Sequence, residues 1–122
     1  MVWIEVHQTL VRHRKTLRLA TELGTTRHRT IGLLVDLWCW AIDNAPDGDL
    51  SHITEDALGR ALEWRGAKLK RSLRTAGFLD SDSRIHDWED YAGRLVEQRR
   101  ANAVRMREKR RQQNKAHLEV VQ

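Results

Sequence analysis

The longest stretch of regularly spaced apolar residues covers positions 26–44. Leu34 and Trp38 recur at a four-residue step, and further apolar side chains repeat that spacing on the neighbouring face. Thr25 or Thr26 can supply the N-cap oxygen, and the only proline of the chain follows two residues after the stretch, where it stops a helix. The pattern predicts a central core helix that is wrapped by other helices.

Three shorter helices are predicted around it. Residues 14–23 end at Gly24, a second helix starts after Thr54, and a third covers 67–76 and ends at Gly77. The side chains expected to point inward are Leu17, Leu19, Ala20 and Leu23 in the first helix, Ala57, Leu58, Ala61 and Leu62 in the second, and Leu69, Leu73 and Ala76 in the third.

Short β-structure is expected between and after these helices. Residues 50–53 favour a short strand, while 78–80 and 84–88 favour two strands of a hairpin. Leu79 and Ile85 are its inward-pointing candidates. The element order is then helix, strand, helix, turn, cationic helix and hairpin, which is typical of a winged helix-turn-helix.

The predicted fold class is therefore mainly α with a small β-hairpin. A winged helix-turn-helix DNA-binding domain is expected over residues 1–92, followed by a basic helical or partly disordered tail over 93–122. The tail has good helix propensity but no sustained heptad seam, which favours a solvated helix over a coiled coil.

The charge of the chain is unevenly distributed. Residues 1–90 carry 13 basic and 14 acidic side chains, whereas residues 91–122 carry 9 and 3, so the tail has a net charge of +6. Such asymmetry indicates a polyanionic partner, and the near absence of bulky apolar residues in the tail favours nucleic acid over a membrane. The single Cys39 excludes a disulfide framework, and we expect a cytoplasmic protein.

Several short segments carry a family resemblance. They are WIE at 3–5, HRKT at 13–16, IGLL at 31–34 with LW at 37–38, PDGDLS at 46–51, LRTAGFLD at 73–80 and IHDWEDY at 85–91. Over residues 1–112 the chain resembles the N-terminal winged-helix domain of phage replisome organiser and DnaD-like replication initiation proteins. The resemblance implies origin DNA binding, and recruitment of a helicase or helicase loader by a more C-terminal segment. The chain stops at Gln122, so recruitment of a helicase or loader is left open. Binding of duplex DNA is still expected.

Basic side chains supply the candidate binding residues. We expect the cationic helix to place its outer face in the major groove of DNA, and the tail to contact phosphates without sequence preference. The alternative is that both are merely solvated faces. The candidates are Arg65, Lys68, Lys70, Arg71 and Arg74 around that helix, Ser83 and Arg84 in the hairpin, and Arg105, Arg107, Lys109, Arg110 and Arg111 in the tail.

No residue pattern indicates an enzyme, a metal site or a cofactor. The acidic residues in and after the predicted hairpin have no base or nucleophile near them, and the histidines form no pair with metal-site spacing. The leading hypothesis is sequence-specific binding of double-stranded DNA in replication initiation. A transcriptional regulator and a protein interaction module that recruits a replication partner stay open, as does a homo-oligomer with Trp38 or Trp40 at its interface.

Overall fold

The computed structural model describes residues 3–65 and 68–121, without the side chains of residues 91, 93–96 and 119–121. A 3₁₀ turn at Gln8–Arg12 precedes α1 (Arg14–Leu23), α2 (Arg27–Asn44), α3 (Glu55–Ala61) and α4 (Leu69–Ala76), and a π-helical turn at Glu89–Gly93 leads into α5 (Arg94–Val121).

The helix ends follow from local sequence. The Thr26 hydroxyl accepts a hydrogen bond from the Arg29 amide at the start of α2, and the Thr54 hydroxyl does the same for Ala57 at the start of α3. Gly24 ends α1 with φ 63, and Gly77 ends α4 with φ 93, a backbone region that glycine enters without steric cost. These predicted caps are confirmed, whereas the expected start of α4 at Ala67 lies outside the described residues.

The core is formed by the inner faces of α1 to α4. Leu19 of α1, Leu34 and Leu37 of α2, Leu58 of α3 and Leu73 of α4 are completely buried. Helix α1 contacts both α2 and α4, and α3 contacts α4. Helix α2 contributes five buried residues to this core, which are Thr30, Leu33, Leu34, Leu37 and Ala41. The expectation that other helices wrap around α2 is met only in part, because α1 is the helix that contacts both α2 and α4.

Some predicted inward positions are wrong. Leu17 is 46% exposed, because the inner face of α1 is formed by Thr16, Leu19 and Ala20. Ala61 is exposed and Ala57 is only partly buried, so Leu58 and Leu62 are the buried side chains of α3 and its C-cap.

The expectation of a winged helix with a β-hairpin is wrong, although the mainly helical character agrees. Over residues 3–65 and 68–121 the backbone forms no sheet, only two isolated antiparallel bridges, Asp49 with Arg84 and Leu79 with Ile85. Residues 51 and 52 form a turn in place of the strand predicted at 50–53. The segment predicted as a strand at 84–88 follows Ser83 at φ 67 and contains Asp87 at φ 55, and such left-handed positions end extended pairing.

The short bridges nevertheless fix the loops that lie beside α4. Leu79 and Ile85 are buried as expected, at 2% and 3% exposure. Trp88 is buried as well, and its indole N–H donates to the Pro46 carbonyl at 2.8 Å. Gly48, at φ 76, passes so close to Trp88 that a Cβ there would meet the indole ring at 2.5 Å. The turn at 46–48 is therefore held against the loop that follows α4.

Candidate nucleic-acid interface

The position of α4 is set by a carboxylate from α3. Glu55 accepts the backbone N–H groups of Lys70 and Arg71, each at 2.8 Å, through its two separate oxygens. Lys68, the N-cap residue, gives no side-chain cap and adopts a left-handed φ of 51. Glu55 thus satisfies amides that a capping side chain would otherwise take, and it places a negative charge at the positive end of the helix dipole.

Lys70 does not lie on the outer face of α4, where the sequence pattern placed it. It is 9% exposed, and its ammonium donates to the Ile53 carbonyl at 2.8 Å. Together with Glu55 this bond ties the first turn of α4 to the segment that precedes α3. Lys70 therefore acts in packing the two helices, and we leave it out of the interface.

The outer face of α4 carries two of the predicted cations, and a third, the exposed Lys68, lies at its N-cap. Arg71 and Arg74 are exposed, and at the helical repeat of 3.6 residues they point to the same side as the exposed Thr75. Leu69, Ser72, Leu73 and Ala76 occupy the opposite side and are buried. A basic surface of this kind on a short, firmly packed helix suits contact with the phosphates or base edges of DNA.

The loop after α4 joins this surface through Arg74. The Arg74 guanidinium donates to the Ser83 hydroxyl at 2.7 Å, and Ser83 is itself 7% exposed. The neighbouring Arg84 is exposed, with its guanidinium 3.6 Å from the Asp82 carboxylate. Arg74, Ser83 and Arg84 are therefore brought together, but Ser83 serves as a buried partner of Arg74 and Arg84 as the exposed cation.

Arg84 also influences a carboxylate across the bridge. The side-chain and backbone hydrogen bonds from Ser51 are the main cause that holds the pKa of Asp49 below its ordinary value, and the positive charge of Arg84 adds to them. Asp49 thus stays ionised beside Arg84 and offsets part of its positive charge.

Arg65 and Lys68 line a cleft of about 710 Å³ between α3 and the start of α4. Its other charged residues are Arg60, Glu55, Asp56 and Glu63, so three basic side chains face three acidic ones. Such a balanced cleft adds little net attraction for a polyanion. Arg65 and Lys68 are accessible to a ligand, but the cleft itself is not the basic centre of the molecule.

That centre is α5. Every side chain from residue 97 to residue 118 is exposed, and these residues include eight basic and two acidic side chains. The predicted tail cations Arg105, Arg107, Lys109, Arg110 and Arg111 all belong to this single helix. At 1.5 Å per residue a 28-residue helix is about 42 Å long. The expected docking of Tyr91, Leu95 and Val96 on the core concerns side chains outside the described set.

An ion pair connects the start of this exposed region with the core. The Arg99 guanidinium lies 2.8 Å from the Asp43 carboxylate near the C-terminal end of α2. Both side chains are more than half exposed, so solvent screens the pair and its contribution to stability is small. It indicates which side of α5 faces the core at residue 99.

Comparisons of the chain with protein-family models, curated proteins and solved structures give no match. Within residues 3–65 and 68–121, no helix combines the length and the apolar character that a membrane crossing requires. No group of three or more His, Cys, Asp or Glu side chains there is arranged to hold a metal ion.

Glu55, which accepts the first amides of α4, is the residue that sequence reasoning missed. The sequence places it in the first turn of α3, where a carboxylate already has a local explanation in the dipole of its own helix. Its actual partners are 15 and 16 residues away. The only sequence signal was the lack of a capping side chain before Leu69, since Lys68 carries no acceptor.

Proposed function

We propose that this protein binds double-stranded DNA through α5 and the outer face of α4. The observation that carries the proposal is the exposed basic part of α5, in which residues 97–118 have eight cations, two carboxylates and no buried side chain. Because none of these side chains packs in the core, a ligand explains their sequence better than the fold does.

Phosphate binding gives this charge a physical use. Each phosphate that a lysine or arginine neutralises releases condensed counterions. The logarithm of the binding constant therefore falls with the logarithm of the salt concentration, with a slope of about 0.9 per contact. The exposed apolar side chains of the region, Val104 and Met106 at 52% and Leu118 at 64%, are single and separated along the helix. They form no apolar stripe that would favour a partner helix or a lipid surface.

The outer face of α4 supplies a second contact in this proposal. Arg71 and Arg74 lie on a helix that Glu55, Lys70 and the core leucines hold in one orientation. Rigid presentation favours base discrimination, because a side chain must meet a base edge within hydrogen-bond geometry. We therefore expect α4 to contribute to sequence preference.

The test compares two triple substitutions with the same change in net charge. One replaces Arg105, Arg107 and Arg111 of α5 by Gln, and the control replaces the exposed Arg12, Arg14 and Arg18 by Gln. Binding of a labelled duplex is titrated over a salt series. We expect the α5 variant to lose affinity and to lower the salt slope by about 2.7 for three contacts, while the control keeps the wild-type slope.

Equal losses in the two variants would show that overall charge, and not α5, determines binding. Failure of the wild-type chain to bind any duplex at low salt would refute DNA binding and favour a protein interaction module. We propose replication initiation as the cellular context, supported by the motif resemblance alone. Crosslinking the protein to DNA in its own cells tests this context, because recovered fragments would cluster at an origin, whereas a regulator would be recovered at promoters.

A further inference from the structure

Resting on the proposed function, we infer that α5 reads base edges in the major groove of B-form DNA and does more than attract phosphates. The exposed side chains of α5 form distinct groups around the helix axis. Successive residues of an α-helix are rotated by about 100°, so the exposed residues of α5 can be placed around its axis.

Five of the eight cations of residues 97–118 lie on two opposite flanks, whereas Arg99 and Arg110 lie between the flanks and Lys115 lies on the far side near Glu97 and Glu108. Arg107 and Lys109 point about 160° apart at this rotation, and both are exposed. Arg100 and Arg111 lie on the Arg107 side, and Arg105 lies on the Lys109 side. A helix that lay on a flat anionic surface would need its cations on one face only. Two opposed basic flanks suit a helix with a phosphate backbone on each side, as in the major groove.

A strip that is uncharged except for one arginine lies between the flanks over residues 102–113. This base-facing strip consists of Asn102, Ala103, Met106, Arg110 and Gln113, which recur along the helix at steps of one, three and four residues and are all exposed. These residue types match the chemistry of base edges. Arginine binds guanine with two hydrogen bonds, asparagine and glutamine bind adenine in the same way, and apolar side chains contact the thymine methyl group.

The acidic side chains support this orientation. Glu97 and Glu108, the two carboxylates of residues 97–118, fall within about 20° of each other on the side opposite the strip. They would point away from the DNA and into solvent. Arg99 lies at the angle of the strip and pairs with Asp43 of α2 at 2.8 Å, about one turn before Asn102. The Arg105 guanidinium also donates to the Asn102 side-chain oxygen, which links a flank residue to the strip.

The dimensions agree with B-form DNA. A helix with side chains is about 10–12 Å across, close to the 12 Å width of the major groove, whereas the major groove of an RNA duplex is too narrow for it. From Asn102 to Gln113 the strip is about 17 Å long, which corresponds to about five base pairs at 3.4 Å each. We therefore expect a preferred sequence of about that length.

The experiment uses the full chain and two double variants. Both make the same two exchanges, Arg to Lys and Gln to Ala, but at different positions. Bound duplexes are first selected from a random pool with the wild-type protein. Affinities for the selected duplex, a scrambled duplex and an RNA duplex of the selected sequence are then measured. The strip variant is Arg110→Lys with Gln113→Ala, and the matched control is Arg18→Lys with Gln112→Ala, since Arg18 lies on α1 and Gln112 lies on the side of α5 opposite the strip. Both keep the charge of α5 and change the same residue types.

The expected result is a loss of roughly 5- to 100-fold in affinity for the selected duplex for each base contact removed from the strip. The strip variant should keep its affinity for scrambled duplex and its salt slope, and the control variant should behave like wild type. Equal behaviour of the two variants, a pool without a preferred sequence, or equal binding of the RNA duplex would overturn base reading by α5 while leaving charge-driven binding intact. Absence of duplex binding at low salt would overturn the proposed function itself.

Discussion

Replacing Glu55 by alanine tests whether this carboxylate holds α4 in place. It removes the acceptor of the Lys70 and Arg71 amides, both bonded at 2.8 Å. Hydrogen bonds to a charged group contribute about 1.5–3 kcal/mol each, whereas loss of a capping side chain costs about 0.5–2 kcal/mol. Because Glu55 is partly exposed and water can replace part of these bonds, we expect a total loss of about 2 to 3 kcal/mol.

The adjacent Asp56 provides a matched control. Asp56→Ala also removes one carboxylate from the first turn of α3, so it reproduces the loss of the dipole interaction at about 0.3–1 kcal/mol. Urea unfolding of both variants, followed by circular dichroism, gives the two free energies of unfolding by linear extrapolation. A difference between them below about 0.5 kcal/mol would refute the assignment of Glu55 as the cap of α4, because a difference near 2 kcal/mol is expected from the two amide bonds.

Three other substitutions test separate features of the fold. Gly48→Ala should destabilise the protein by about 3 kcal/mol or more, because its Cβ would lie 2.5 Å from the Trp88 ring; a thermal melt equal to that of wild type would contradict this packing. Glu63→Gly should stabilise it by about 1 kcal/mol, since Glu63 has a left-handed φ of 52; no gain in urea unfolding would show that the strain is absent. The lowered pKa of Asp49 favours its ionised form in the folded state, so its contribution is present above the unfolded pKa and lost as the pH falls through the folded one. Asp49→Asn should therefore flatten the decline in stability below about pH 4, and an unchanged pH profile would argue against the Ser51 hydrogen bonds as the cause.

Local rules predicted the helices, and contacts distant in sequence accounted for most errors. Thr26, Thr54, Gly24 and Gly77 act within one turn of the helix that they cap, so their roles follow from neighbouring residues. Lys70 was placed outward because a lysine is rarely buried, but the Ile53 carbonyl lies 17 residues away and satisfies its ammonium.

The prediction of β-structure was wrong for a related reason. Residues 78–80 and 84–88, joined by Ser81, Asp82 and Ser83, were predicted to form two strands, and the inward direction of Leu79 and Ile85 was right. A strand, however, needs continued pairing, and Asp87 at φ 55 ends it after a single bridge. The positive charge of the tail was visible in composition alone, but its arrangement as two flanks and a strip required the helix to be continuous through residues 97–118.

The complete exposure of residues 97–118 in α5 has a consequence for amide hydrogen exchange. Unwinding this part of the helix uncovers no buried apolar side chain, so its amides should exchange through local opening with almost no dependence on denaturant concentration. Core amides such as those of Leu34 and Leu73 should exchange only through larger openings that respond steeply to urea. Ligand binding would then be visible as a slowing confined to α5, and the amides that slow most would mark where the helix is held.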